Sequence, residues 1–202
     1  MDRKTQRQNQ LDFSLRSIKQ HNFEKNVFTE RKKEKNSLYA YIDEFSNGDT
    51  VAGDFGCHDG SISYALSKRC RHVYGYDLEA VIGNNFLNPK DNLDFIGIDL
   101  DLDFPNHLFD LILALDVVEH LFNDKAFLLN CYLHLHKNGK LITTAPLHPP
   151  KGNIHFRGYE EDEFKAMLKK IGFSIVKEEK YIDSAGQQLI LVCEKYYGND
   201  TI

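Results

Sequence analysis

Hydrophobic residues from position 50 onward fall into short runs separated by segments with helical periodicity. The short runs predict strands at residues 50–55, 72–77, 93–99, 109–116 and 140–146. Between them, apolar positions at helical spacing predict helices at residues 61–70, 78–86, 117–136 and 159–172. Strands that alternate with helices are typical of parallel βαβ units, in which helices cover both faces of the sheet.

The C-terminal part of the chain departs from this alternation. Two apolar runs, at 173–182 and 187–197, are separated only by the residues Asp-Ser-Ala-Gly. A parallel crossover needs a much longer connection, so the two strands should form an antiparallel hairpin. We therefore predict an α/β fold with a seven-stranded, mostly parallel sheet whose last strand is reversed. Helices within residues 10–46 should pack beside its ligand-binding end.

Length and composition indicate a single globular domain. The chain has 202 residues, of which 42% are hydrophobic and 27% are charged. No segment approaches the ~20 apolar residues of a membrane span. The polar N-terminal sequence does not resemble a secretory signal, so we expect neither feature. The four cysteines form no CxxC pair, which argues against disulfides and cysteine zinc sites and favours a cytoplasmic protein.

Charge is distributed unevenly along the chain. Residues 1–40 contain ten Lys or Arg and five Asp or Glu, whereas residues 41–202 contain fifteen and twenty-five. The basic run at 31–35 could attract an anionic substrate or nucleic acid. A solvated helix face is the more common explanation of such a run, so nucleic acid is not the favoured partner.

The sequence VAGDFGCHDGSIS at 51–63 looks like a glycine-rich nucleotide-binding loop between a strand and a helix. Glycines let the backbone turn tightly and approach a ligand, and the following helix offers N–H groups at its N-terminus. However, Gly53, Gly56 and Gly60 lack the G-x-G-x-x-G spacing of dinucleotide-binding loops, and His58 lies in the middle. By itself the loop is therefore a weak indication of ligand binding.

Acidic residues at the ends of the next two predicted strands strengthen that interpretation. Asp77 ends the second strand, where a carboxylate can accept hydrogen bonds from both ribose hydroxyls of an adenosine. Asp99 ends the third strand, where it could accept a hydrogen bond from an adenine amino group between Ile98 and Leu100. Either acid could instead cap a turn. Both nevertheless lie at the edge where open α/β sheets bind ligands.

These motifs, taken in order, resemble those of class I S-adenosylmethionine-dependent methyltransferases. The matching stretches are VAGDFGCHDG, VYGYDLE, FIGIDL, FDLILALDVVEHL and LHKNGKLITTAP. The fourth is the most specific, because it resembles the D-x-I-x-x-x-x-V-x-E-H pattern of small-molecule methyltransferases. The resemblance implies one Rossmann-like domain over residues 1–202, with its core at 49–202 and a helical lid or extension at 1–48. His58 is the main departure, because the family commonly has glycine there.

The resemblance also implies the cofactor, S-adenosylmethionine, and its product S-adenosylhomocysteine. Asp54 and backbone N–H groups would hold the amino-acid end, and Leu115 and Asp116 would lie near the sulfonium. The expected cofactor-binding residues are Asp54, Gly56, Cys57, His58, Gly60, Asp77, Leu78, Asp99, Leu100, Leu115 and Asp116. The phosphate-binding motif GxxxxGK(S/T) is absent, which fits a cofactor without phosphate.

The acceptor should bind near the fourth motif and the loop LHPPKGNIHFRGY, which contains His148 and His155. Glu119, His120 and His155 are the catalytic candidates, with His120 or His155 as general base for a hydroxyl acceptor and no metal. Alternatively, Asp116, Glu119 and His120, which would share one helical face, could bind Mg²⁺ or Mn²⁺ with a loop histidine. That set is similar to the metal site of RNA 3′-terminal 2′-O-methyltransferases. In a third interpretation these residues only cap and orient the helix.

Three functions remain open at this stage. The leading one is O- or N-methylation of a small or medium-sized acceptor, because the short segment before the first strand leaves little room for a recognition domain. The second is RNA 2′-O-methylation, favoured by the basic N-terminal segment but opposed by the acidic remainder. The third is a non-catalytic adenosylmethionine-binding subunit, suggested by His58 and by the lack of an unmistakable base. Oligomeric state leaves no signal in the sequence.

Overall fold

Seven strands and six α-helices lie in the part of the chain that the computed structural model describes, residues 3–20, 36–83, 90–147, 155–183 and 186–195. The strands are β1 (Val51–Phe55), β2 (His72–Asp77), β3 (Leu93–Gly97), β4 (Phe109–Ala114), β5 (Leu135–Pro146), β6 (Phe173–Asp183) and β7 (Gly186–Lys195). The helices are α1 (Arg3–Gln20), α2 (Asn36–Glu44), α3 (Ser61–Leu66), α4 (Glu79–Ile82), α5 (Asp124–His134) and α6 (Glu161–Ile171).

The strands form one sheet in the order β3-β2-β1-β4-β5-β7-β6. Neighbouring strands among β1 to β5 are parallel, whereas β7 is antiparallel to both β5 and β6. This confirms the predicted seven-stranded, mostly parallel sheet with a reversed last strand. The strand order reverses at β1 and β4, so the carboxyl ends of these strands border the crevice where open α/β sheets bind ligands.

Buried apolar side chains cover both faces of the sheet. On one face, Ile112 of β4 belongs to a cluster that includes Phe127 of α5. On the other face, its neighbour Leu111 belongs to a cluster with Leu38 of α2 and Leu66 of α3. Successive strand side chains point to opposite faces, so a continuous apolar run such as β4 contributes to both cores. The prediction of helices on both faces is confirmed.

The prediction of one continuous helix at 117–136 is wrong. Residues Val118–His120 form only a 3₁₀ turn, and α5 is confined to Asp124–His134. Between them, the backbone N–H of Asn123 donates to Asp101 Oδ1 at 2.9 Å. This hydrogen bond joins the segment between the turn and α5 to the loop after β3. Apolar residues continue through this connection, so the hydrophobic pattern does not reveal the break.

The strand predicted at 140–146 begins five residues earlier, at Leu135. Leu135 pairs with Phe109 of β4, and the register then shifts before Leu111 pairs with Lys140. Pairing with β4 therefore extends the strand through residues whose composition indicated a turn. As a consequence, His134 ends α5 and His136 lies in β5.

Several other predicted elements are shorter. The helices expected at 61–70 and 78–86 span Ser61–Leu66 and Glu79–Ile82, and residues 84–89 lie outside the described part. β3 and β4 end before Asp99 and Asp116, which therefore lie in the loops that follow.

In the predicted N-terminal helical segment, α1 and α2 are helical, and residues 21–35 lie outside the described part. Among the helices that the structure describes, none has the length and apolar composition needed to cross a membrane.

Candidate functional site

A cavity of about 450 Å³ lies at the carboxyl ends of β1, β2 and β4 and is bordered by α1 and α2. This volume is typical of a small-molecule site. The predicted site residues that line it are Asp54, Gly56, Cys57, His58, Asp77, Leu78, Leu100, Leu115, Asp116 and His120. Gly60 precedes α3 as its N-cap, and Asp99 lies between the lining residues Ile98 and Leu100.

The N-terminal helices contribute lining residues that sequence reasoning did not single out. They are Arg7, Gln10, Phe13 and Ser14 of α1 and Leu38 of α2. Tyr39 of α2 also lines the cavity. The sequence predicted helices here, and its signals for a binding role were the excess of basic residues and the lid or extension that the resemblance implies for residues 1–48. Which side chains reach the cavity depends on contacts between distant parts of the chain.

The loop after β1 has the shape that its glycines suggest. Gly56 has a φ of 75°, and a Cβ at this position would lie 2.4 Å from Val117 Cγ2, so any other residue would be strained and would displace Val117. The N–H groups of Gly56 and Cys57 donate to the carbonyl oxygen of Tyr76 at 2.7 and 3.0 Å. These bonds join the loop to β2. His58 also lies in the left-handed region, with a φ of 49°.

Asp77 is held at the end of β2 by two backbone hydrogen bonds. His58 N–H donates to Asp77 Oδ2 at 2.8 Å, and Leu78 N–H donates to Asp77 Oδ1 at 2.7 Å. Burial raises the pKa of Asp77, and the two backbone bonds and the charge of Arg7 oppose this rise. Each carboxylate oxygen has a second lone pair, so both can also accept a ligand hydroxyl.

Asp54 lies deeper in the cavity and is only 2% exposed. Its Oδ2 accepts a hydrogen bond from Ser63 Oγ at 2.5 Å. Burial raises its pKa to about 7, and the charges of Asp77 and Asp59 act in the same direction. Burial also raises the pKa of the Cys57 thiol well above its ordinary value, so Cys57 is not a reactive thiolate.

Asp99 forms an ion pair with Arg7 of α1. The same guanidinium lies 2.6 Å from Oδ2 of Asp101, whose side chain is 0% exposed. One helical turn further along α1, Gln10 Nε2 donates to the carbonyl oxygen of His120 at 3.1 Å. The helix thus contacts both the predicted adenine-binding acid and the predicted acceptor side.

Glu119, His120 and His155 come together beside the cavity. One side-chain ligand atom of each lies within 4.8 Å of the others, and the two imidazole ring centres are 4.5 Å apart. The Glu119 side chain is 3% exposed and its Oε1 lies 4.0 Å from His120 Nε2. Burial lowers the pKa of His155, while the charge of Asp116 opposes this change. This cluster could accept a proton or hold a divalent cation.

The sequence predicted that Asp116 shares a helical face with Glu119 and His120, and this prediction is wrong. Its φ is 56°, so the chain turns sharply after β4 instead of entering a helix. Its Oδ1 accepts a hydrogen bond from Thr144 Oγ1 at 2.8 Å, which directs the carboxylate toward β5. His148 lies outside the described residues.

A family model described as "Methyltransferase domain" matches residues 53–143, a range that contains β2 to β4. Among solved structures, the N-methyltransferase NodS from Bradyrhizobium japonicum WM9, in complex with S-adenosyl-L-homocysteine, is 17% identical. The match covers 93% of this chain and 100% of that one, with a TM-score of 0.69.

Two further structures have the same fold. Magnesium protoporphyrin IX methyltransferase (ChlM) from Synechocystis PCC 6803, with bound SAH, is 21% identical over 91% of this chain and 93% of that one, with a TM-score of 0.69. An S-adenosylmethionine dependent methyltransferase from Mesorhizobium loti is 16% identical over 80% and 97%, with a TM-score of 0.68. Among curated proteins, none matches the sequence significantly.

Proposed function

We propose that this chain is a class I S-adenosylmethionine-dependent methyltransferase and that it methylates an oxygen or nitrogen of a small or medium-sized acceptor; the methyltransferase-domain match over residues 53–143 and the shared fold support this. One observation carries this proposal. A single cavity is lined at one end by Asp77 and at the other by His120, beside Glu119 and His155. A cofactor and an acceptor could therefore meet within it.

In this proposal Asp77 accepts the ribose hydroxyls, and Ile98 and Leu100 enclose the adenine beside Asp99. Asp54 faces the amino-acid end of the cofactor. Ser61 supports this assignment, because it lines the cavity and its buried Oγ has no hydrogen-bond partner among the described residues. A polar ligand group at that position would satisfy it. When bound, S-adenosylmethionine supplies an electrophilic methyl group on its sulfonium.

We further propose that His120 or His155 is the general base for a hydroxyl acceptor. Either imidazole nitrogen would accept the proton of the acceptor hydroxyl as its oxygen is methylated. The lowered pKa of His155 supports this role, because a base must be neutral before it accepts a proton. Glu119, almost fully buried beside His120, would stabilise the imidazolium that forms.

A turnover assay with methyl-labelled S-adenosylmethionine and a panel of small hydroxyl and amine acceptors tests this function. We expect His120→Gln or His155→Gln to lower the turnover of the best hydroxyl acceptor roughly 100-fold, the usual contribution of a general base. His72→Gln is the control, because His72 pairs with the exposed Asp94 away from the cavity. Full turnover by both site variants would exclude a histidine base. Cofactor binding without turnover of any acceptor would favour a non-catalytic subunit.

We also propose a small acceptor and a cytoplasmic location. The cavity of about 450 Å³ must hold the cofactor and the reacting part of the acceptor together, which favours a modest acceptor. All four cysteines are free and buried, which suits a reducing compartment.

A second candidate function, RNA 2′-O-methylation assisted by a divalent cation, is favoured by one specific observation. Glu119, His120 and His155 offer one oxygen and two nitrogen ligands within 4.8 Å of one another. Three such ligands suit a transition-metal ion that keeps open coordination positions. An ion there would polarise a hydroxyl and lower its pKa. Asp116 is not in this set, so it differs from the set predicted from the sequence.

Titration with Co²⁺, followed by its visible absorption, tests this second candidate. Saturable binding that is lost in His120→Gln but kept in His72→Gln would support it. Absence of binding by the wild-type protein would exclude it. Retention on a short RNA that weakens steeply with added salt would support RNA as the acceptor.

A further inference from the structure

A buried ion pair fixes the segment that carries His155. Arg157 Nη1 lies 2.6 Å from Oδ2 of Asp124, the first residue of α5. The Tyr159 hydroxyl lies 2.8 Å from the same carboxylate oxygen. We call these three residues, Asp124, Arg157 and Tyr159, the clasp. It joins the chain after β5 to the start of α5.

The clasp is largely removed from water. Asp124 is 4% exposed and Tyr159 is 9% exposed, whereas the Arg157 side chain is 31% exposed. The second guanidinium nitrogen of Arg157 donates to the carbonyl oxygen of Phe122 at 3.1 Å, so the side chain bridges a carboxylate and a main-chain acceptor. A buried ion pair is often no more stabilising than apolar residues of the same size, but it allows only one arrangement. The clasp therefore favours one placement of the segment over its alternatives.

The segment is also fixed in register with the 3₁₀ turn that carries Glu119 and His120. The backbone N–H of Phe156 donates to the carbonyl oxygen of Glu119 at 2.8 Å. Tyr159 N–H donates to the carbonyl oxygen of Pro146 at 3.0 Å, which closes the base of the intervening loop. His155 precedes these anchors directly, and its ring lies 4.5 Å from that of His120.

We propose that Asp124, Arg157 and Tyr159 are positioning residues that hold the His155 imidazole against His120 at the acceptor end of the cavity. The catalytic role of this arrangement rests on the proposed function. The position of the His155 ring relative to His120 can be tested without an acceptor. The clasp residues do not line the cavity. They therefore do not contact an acceptor in the cavity themselves.

Nuclear magnetic resonance of the histidine rings, recorded in metal-free buffer on the full chain, tests the proposal. In the wild type we expect a nuclear Overhauser effect between the ring protons of His120 and His155. In Arg157→Ala it should be lost, because the segment is no longer fixed to α5. In Arg157→Lys it should return at least in part, because the ammonium can still reach Asp124.

A matched control separates positioning from stability. Val192→Ala removes buried apolar volume on the opposite face of the sheet, so it should lower the melting temperature and leave the His120–His155 signal unchanged. If Arg157→Ala lowers the melting temperature but keeps that signal, the clasp is only structural and the proposal is wrong. The proposal is also wrong if Val192→Ala loses the His120–His155 signal to the same extent as Arg157→Ala.

Calorimetry with S-adenosylhomocysteine distinguishes this failure from failure of the proposed function. Arg157→Ala should bind S-adenosylhomocysteine within about twofold of wild type, because the clasp lies outside the cofactor cavity. If the wild-type protein does not bind it, the proposed function fails while the ring signal still tests the clasp. If Arg157→Ala alone loses binding, the variant disturbs the whole cavity, and the assignment of the clasp to His155 is overturned.

Discussion

Two buried carboxylates face the cavity from neighbouring strand ends, and the protein stabilises their charges to different degrees. Asp77 accepts two backbone N–H groups, which oppose the effect of burial on its pKa. Asp54 accepts a hydrogen bond from Ser63 and lies near two other acids, and its pKa is raised to about 7. Asp54 is therefore the residue whose charge should change near neutral pH.

The raised pKa of Asp54 predicts a pH dependence of stability. Between about pH 4 and about pH 7 the folded protein keeps the Asp54 proton that the unfolded chain has released, since the ordinary pKa is 3.8. The free energy of unfolding contributed by Asp54 should therefore fall as pH rises through this window, by an amount of the order of 4 kcal/mol. Above that window the contribution is constant. Chemical denaturation at a series of pH values measures it.

Asp54→Asn is the control for this titration, because it keeps a hydrogen-bond acceptor for Ser63 and cannot ionise. The difference between the two curves reports the titration of Asp54 together with its charge coupling to Asp77 and Asp59. Parallel curves from pH 4 to pH 7 would contradict the raised pKa.

His58 is the residue at which the glycine-rich loop departs from the pattern that the sequence resembles. It adopts a φ of 49°, which costs a residue with a side chain roughly 1–2 kcal/mol. We expect His58→Gly to raise the free energy of unfolding by up to about 1 kcal/mol, because relief of this strain exceeds the opposing effect of the entropy that glycine gains in the unfolded chain. It should also weaken S-adenosylhomocysteine binding several-fold, because His58 lines the cavity.

Asn138→Gly provides the comparison, because Asn138 has a φ of 67° in β5 and does not line the cavity. It should leave the affinity for S-adenosylhomocysteine unchanged. Equal affinities in both glycine variants and the wild type would show that His58 does not contact the ligand.

At the scale of elements, polar contacts join α1 to the rest of the site. It is joined to the core by ion pairs of Arg7 and by the hydrogen bond from Gln10, and its Phe13 side chain is 50% exposed. A helix attached by polar contacts can detach without exposing much apolar surface. It could therefore open the cavity for exchange of ligands.

We expect Arg7→Ala to loosen α1. The variant leaves the fully buried carboxylate of Asp101 without its cation, which should lower the free energy of unfolding by about 1–3 kcal/mol. Proteolytic cleavage within residues 3–20 should become several-fold faster, and S-adenosylhomocysteine should slow it again. Mass spectrometry of the fragments gives the rates.

Arg16→Ala is the matched variant on the same helix, because Arg16 is exposed and its Nε donates to the carbonyl oxygen of Asp12, within α1 itself. Its cleavage rate should stay near that of the wild type. Equal protection of α1 in the wild type and Arg7→Ala would show that the ion pairs do not hold the helix.

Elements were predictable where one hydrophobic period persists and uncertain where the period changes without a break in composition. The apolar run of β4 appears in the sequence because both of its faces are buried. The segment 117–136 contains a turn, a helix and the start of a strand, with apolar residues throughout. Its divisions depend on tertiary contacts, such as the pairing of Leu135 with Phe109.

At the scale of the whole molecule, the alternation of strands and helices was sufficient to predict the sheet, its mostly parallel order and its reversed last strand. The positions of the glycine-rich loop after β1 and of Asp77 at the end of β2 were also predictable, because they follow strands in a local pattern. Arg7 was not, because its partner Asp99 is 92 positions away in the chain. The clasp was not predictable for the same reason, since Arg157 meets Asp124 only after the sheet forms.

The proposed function depends on binding of the cofactor's adenosyl group in this cavity through Asp77. Calorimetric titration with S-adenosylhomocysteine tests it most directly. We expect roughly micromolar binding by the wild-type protein. Asp77→Asn should weaken binding about 100-fold, because the carboxylate would lose two charge-assisted bonds to the ribose. Asp94→Asn, at an exposed carboxylate of β3, should bind like the wild type. Failure of the wild-type protein to bind, or equal binding by Asp77→Asn, would contradict the account.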